Sequence, residues 1–180
     1  MPRGRRNNYN YYYPQRSIAA GKRNKYSSMT YFVTNETASN KPGYMPYFIV
    51  VPPANIGGKR KVKNISIQLS FDSQYMDDEG VIQNSGDTQI LWAIVYVPKG
   101  STPGTLNYQN GIFYSPPQFI MASGIYDTNQ PGNSSRIFTP LSRNLNEGDG
   151  IAFVYQRFNN AEILYGHQLK AIINYAITLQ

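Results

Sequence analysis

In the stretch KVKNISIQLSF (61–71), Ile65, Ile67, Leu69 and Phe71 alternate with Ser66, Gln68 and Ser70. In QLKAIINYAITLQ (168–180), Leu169, Ala171, Ile173, Tyr175, Ile177 and Leu179 share one parity, while Gln168, Lys170, Asn174, Thr178 and Gln180 share the other. A side-chain period of two belongs to a strand with one face buried and one face wet, whereas a helix repeats every 3.6 residues. No segment shows a sustained pattern of apolar residues three and four apart. The chain is therefore predicted to be all-β.

The other apolar segments agree. YSSMTYFVT (26–34), GYMPYFIVVPP (43–53), PQFIMASG (117–124), SRIFTP (135–140) and GIAFVYQRF (150–158) are short and rich in aromatic and β-branched residues. TQILWAIVYVP (88–98) is apolar at both parities, so both of its faces should be covered, most simply as a central strand. The 15 Gly and 12 Pro concentrate in the connections, among them NIGG, PKGSTPGTLNYQNG and NQPGNSS. About eight strands joined by long connections predict a two-sheet sandwich over residues 26–180, with a single jelly roll as the leading topology.

Charge divides the chain differently. Seventeen Lys and Arg against ten Asp and Glu give a net charge of +7. Arg3, Arg5, Arg6, Arg16, Lys22, Arg23 and Lys25 account for all of that excess, because no acid precedes Glu36 and the remainder is balanced. Residues 1–25 also lack aliphatic periodicity, so they are predicted to be an arm that cannot fold alone. A neutral body with a basic arm suits a polyanionic partner. Lys and Arg neutralise phosphates without needing a defined fold. The alternative is a tail that confers solubility or carries a nuclear address. Tyr9, Tyr11, Tyr12 and Tyr13 lie between the basic clusters, where they either stack on unpaired bases or pack against a neighbouring subunit. Lys59, Arg60, Lys61 and Lys63 form a second cluster, either an extension of the phosphate-binding area or an ordinary solvated strand end.

Chemistry of other kinds finds little support. The absence of cysteine excludes disulfides, thiolate metal sites and cysteine nucleophiles. His167 is the single histidine, so a histidine metal cluster is excluded, and it reads as structural or exposed rather than as a base. There is neither a G-x-S-x-G elbow nor a phosphate-binding P-loop. No catalytic residue, cofactor or metal is expected. Asp77, Asp78 and Glu79 read as an exposed loop, with cation binding the lesser alternative. The sequons at Asn35, Asn64 and Asn133 read as chance in an Asn-rich chain. No run of about 18 apolar residues suggests a membrane span, and no apolar stretch follows the basic start as in a secretory signal.

Three stretches, VPKGSTPGTLN (97–107), SPPQFIMASGIYD (115–127) and RIFTPLSRNLNEGDGIAFVYQ (136–156), resemble the capsid proteins of circular, Rep-encoding single-stranded DNA viruses, the circovirus-like group. The most specific part is PLSRNLNEGDGI (140–151), and the order of motifs after a basic N-terminus also matches. The resemblance implies a jelly-roll subunit that self-assembles into an icosahedral T=1 shell of sixty copies, as in a virus-like particle. It implies an arm facing inward to a single-stranded DNA circle, a host receptor as a further partner, and no membrane insertion. Its place would be the virion, with the host nucleus a candidate site of assembly. Two other readings are compatible with the sequence alone: a β-sandwich nucleic-acid-binding module that forms no shell, and a carbohydrate-binding jelly roll. An enzyme ranks last.

Overall fold

The computed structural model describes residues 25–37, 47–76, 79–85, 89–104, 106, 113–127, 136–157 and 164–180. Among them the strands are β1 (Ser27–Thr37), β2 (Tyr47–Val51), β3 (Arg60–Met76), β4 (Ile82–Ser85), β5 (Gln89–Val97), β6 (Ile120–Asp127), β7 (Arg136–Thr139), β8 (Arg143–Leu145), β9 (Gly150–Arg157) and β10 (Leu164–Leu179). Every pairing is antiparallel. One sheet runs β1-β10-β3, and β8, β7 and β4 follow one another along the free edge of β3. The other runs β2-β9-β5-β6. The two sheets share one apolar core, the arrangement of a β-sandwich.

Two short strands, β4 and β8, go beyond the eight expected. Both find their pairing on β3, which extends to Met76 rather than stopping at Phe71. The segment expected as a strand from 117 opens instead with a single 3-10 turn, Pro117–Phe119, and the strand begins at Ile120. Pro116 and Pro117 supply no backbone donor, so they cannot join a ladder through their nitrogens.

A β-bulge in β3 decides which side chains point where. Asn174 lies opposite Ser66 and Ala176 opposite Lys63, so Asn64 and Ile65 together face Tyr175 alone. Asn64 has φ +54°, a left-handed conformation that Asn tolerates better than most residues. The extra residue inverts the alternation. Val62 and Ile65, three apart, are both fully buried. Lys61 and Lys63 consequently share the outer face with Ser66, Gln68 and Ser70. At the far end of β10 the expected apolar parity fades: Leu179 is 62% exposed while Thr178 is buried.

β5 is central in its sheet, as its composition requires. Ile90 and Ile94 enter the shared core, with Trp92 and Tyr96 packed against it. Leu91, Ala93, Val95 and Val97 form a second cluster on the opposite face with Leu106 and Tyr114, which belong to the long connection after β5. The Tyr114 hydroxyl holds that connection by accepting from the Gly104 N–H at 2.9 Å. In the shared core, Phe153 stacks on Phe48 with centroids 4.9 Å apart and on Trp92 at 6.0 Å. Pairs of this kind contribute about 0.5–1.5 kcal/mol beyond their buried area.

One hydroxyl ties the sheets together. Tyr31, on β1, donates to the carbonyl of Ile49 on β2 at 2.9 Å and lies also against the Val50 carbonyl. Burial, with a smaller contribution from Tyr175, holds its ionisation far above the usual phenol range, so it stays a donor. Tyr31→Phe keeps the ring and removes the donor, and should cost about 1–2 kcal/mol in urea denaturation at neutral pH. An unchanged midpoint would show that the link contributes nothing.

The motif PLSRNLNEGDGI closes around a buried carboxylate. Asp149 accepts from the Tyr96 hydroxyl at 2.7 Å, the Asn146 N–H at 2.8 Å and the Lys99 N–H at 3.0 Å. Its neighbour Gly148 has φ +80°, and the Gly148 N–H reaches the Ala54 carbonyl at 3.0 Å. Three connections thus meet at one end of the sandwich.

Candidate nucleic-acid interface

The outer face of the β1-β10-β3 sheet is where the cations gather. The registers build it in rows. Lys61 lies between Thr178 and Asn144. Lys63 lies beside Ala176, which faces Ser28. Asn174 lies between Thr30 and Ser66, and Ser66 faces Phe138. Ile172 lies between Phe32 and Gln68, and Gln68 faces Arg136. Lys170 lies between Thr34 and Ser70. Among the described side chains on the strands of this sheet, none is acidic. Glu36 and Asp72 flank Gln168 in the next row, and their side chains lie outside the described residues.

Local contacts fix several of these groups. The Lys63 Nζ sits 3.8 Å above the centroid of the Tyr26 ring. Tyr26 immediately precedes β1, and Lys25 before it is exposed, so the root of the arm lies beside the lysines of the bulge. Arg136 donates from Nε to the Ser66 Oγ at 2.8 Å, and its guanidinium carbon is 5.8 Å from the Phe138 centroid. Thr30 donates from Oγ1 to the Asn174 Oδ1 at 2.6 Å. A sheet face bearing cations of one sign raises the local concentration of an anionic partner.

Arg60 does not belong to this surface. It is only 4% exposed, and its guanidinium donates inward to the Pro52 carbonyl at 2.9 Å and the Asp149 carbonyl at 2.6 Å. Its place in the basic cluster 59–63 is therefore corrected: it is a structural cation, pointing away from solvent because it precedes the bulge on the parity of Val62. Lys59 is exposed just before β3, and Lys61 and Lys63 lie on the face. Lys170 and Arg136 were not singled out from the sequence. Each is isolated among apolar and polar neighbours along the chain, and only the register brings them to Lys61 and Lys63.

Arg3, Arg5, Arg6, Tyr9, Tyr11, Tyr12, Tyr13, Arg16, Lys22 and Arg23 lie outside the described residues, as do Asp77, Asp78 and Asn133. Glu79 is exposed in the turn after β3. His167 lies on β10 between Thr37 and Ser73, with its side chain outside the described residues. Among the described residues, no three His, Cys, Asp or Glu side chains group as a metal site, and no helix is long and apolar enough to cross a membrane. Comparison with protein-family models and with curated proteins finds no match to the chain.

Proposed function

We propose that the chain is a viral capsid subunit of jelly-roll topology that self-assembles into a small icosahedral shell and packages single-stranded DNA. The strand order supports the topology. With β4 set aside and β7 and β8 counted as one interrupted strand, the sheets read first-eighth-third-sixth and second-seventh-fourth-fifth, the order of two Greek keys wound into a jelly roll. The motifs at 97–156 support the family.

The observation that carries the reading is the polarity of the sandwich. The seven-cation arm runs into β1, and β1 belongs to the sheet whose outer face bears Lys61, Lys63, Arg136 and Lys170. The outer face of the other sheet is instead apolar at Leu91, Ala93, Val95 and Val97, under the connection after β5. A subunit with one cationic side suits a shell whose inner side meets a polyanion. Closed symmetry would then repeat the same loop contacts around every axis.

Purified protein should form uniform closed particles. Sixty copies of a 20.4 kDa chain give a protein mass of about 1.2 MDa, read by mass photometry and electron microscopy. The particles should have an absorbance ratio at 260 and 280 nm that indicates nucleic acid. Monomers or dimers across a range of salt and pH would overturn the shell. The same cationic face would then favour the second reading, a nucleic-acid-binding sandwich that does not assemble.

A further inference from the structure

We infer that the outer face of the β1-β10-β3 sheet is a base-stacking platform, on which Phe32 and Phe138 hold unpaired bases of a strand whose phosphates meet Lys61, Lys63, Arg136 and Lys170. The inference rests on the packaging reading and adds to it the part of the nucleic acid that is recognised.

Phe32 is 61% exposed and Phe138 is 53% exposed, and they stand on the two edges of this sheet, β1 and β7, on its outer face. The next strand position of each turns inward: Val33 packs against the core and Thr139 is buried. The register therefore sets both rings on the outer face. Ile172, 42% exposed, extends the apolar surface beside Phe32. Thr30, Asn174, Ser66 and Gln68 lie between the two rings and are small or flat.

The spacing suits a single strand. Phe32 and Phe138 are three strand separations apart across the sheet and two residues apart along it, roughly 16 Å on the diagonal. Stacked nucleotides advance about 3.4 Å each, so about five of them span the two rings. A duplex keeps its base faces inside its own stack and offers these rings nothing. A second copy of this face fits less well as the occupant, because it would set Lys61, Lys63, Arg136 and Lys170 against cations of their own kind. Aromatic surface interleaved with cations is the chemistry that takes single-stranded nucleic acid without reading its sequence.

The test uses the full chain freed of nucleic acid and three probes of equal length at fixed salt: oligothymidylate, an abasic deoxyribose-phosphate strand, and a duplex. The wild type should prefer oligothymidylate to the abasic strand by roughly fivefold or more for each phenylalanine engaged. Phe32→Thr combined with Phe138→Thr should lose that part of the preference while keeping its salt dependence, because Thr suits a strand and no cation is touched. A double variant that keeps the whole preference overturns the platform. Should that variant misfold, photocrosslinking of wild type to an iododeoxyuridine strand decides. Crosslinks at Phe32 or Phe138 uphold the platform, and crosslinks confined to residues 1–25 overturn it. Failure to bind any of the probes would overturn the packaging reading, and the platform with it.

Discussion

Asp149→Ala should destabilise the dissociated subunit by about 3–5 kcal/mol at neutral pH. The carboxylate accepts from Tyr96, Asn146 and Lys99 at distances between 2.7 and 3.0 Å, and the residue is only 4% exposed. Alanine leaves all three donors without that partner, at about 1–3 kcal/mol for each that water cannot reach. The Asp149 carbonyl would still accept from Arg60, so the fold should survive with its end loosened. For a chain of this size, each kcal/mol lowers the melting temperature by about 2–4 °C. Asp149→Asn, which keeps one acceptor oxygen, should cost less.

The pH dependence gives the same prediction a second reading. Burial pushes the Asp149 carboxyl upward, but hydrogen bonds from Tyr96 and from the Asn146 and Lys99 backbone outweigh it and hold the group below its ordinary value. A carboxyl depressed in the folded state contributes stability above its unfolded value, near 3.9, and loses it as pH falls through the lower folded value. The gap between wild type and Asp149→Ala should thus be level near neutrality and narrow below about pH 4. Tyr96 works in the other direction. Burial first, then its bond to Asp149, pushes its phenol up to about 12. Its contribution is complete below about pH 10 and fades as pH rises through 12. Urea denaturation at several pH values measures both edges. A variant within 1 kcal/mol of wild type at pH 7 would mean that water replaces the carboxylate freely.

Strand identity was legible wherever one parity was uniformly apolar. Ile65 to Phe71 and Leu169 to Tyr175 kept their expected faces, and the two apolar parities of β5 correctly implied cover on both sides. Period-two reasoning failed where the backbone inserted a residue. Nothing in KVKNIS announces a bulge except that Val62 and Ile65 are three apart, which two buried positions of one regular strand cannot be. That signal, with an Asn between them, was available. It would have placed Arg60 inward with Val62 and the two lysines outward. The Asp149 network was not legible, because two of its donors, Tyr96 on β5 and Lys99 in the connection after it, stand 53 and 50 residues away along the chain. The cationic face was legible only in part. Lys61 and Lys63 announce themselves by clustering, whereas Arg136 and Lys170 join them through strand order, which local sequence does not encode. β4 and β8 are too short for periodicity and owe their pairing to the free edge of β3.

Deleting residues 1–25 should abolish packaging while the sandwich stays folded. The deletion takes away all seven excess charges and no described strand, since β1 begins at Ser27. It spares Tyr26, so the contact beneath Lys63 is retained. For single strands each engaged cation contributes about −0.7 to the slope of log affinity against log salt, so seven contribute about −5. The sheet face adds its own share. If Lys61, Lys63, Arg136 and Lys170 each meet a phosphate, the deleted protein should retain a slope near −3, against about −8 for the full chain. Lys61→Gln with Lys63→Gln in the full chain should then flatten the slope by about 1.4 without touching the core, because both side chains stand on the outer face. The two perturbations separate the arm from the face. An arm deletion that leaves affinity and slope unchanged would remove the arm from the binding element and leave the face alone to carry it. An unchanged slope in the lysine variant would do the converse. The arm would then reach past the sheet, and the cations of the bulge would be a solvated strand end.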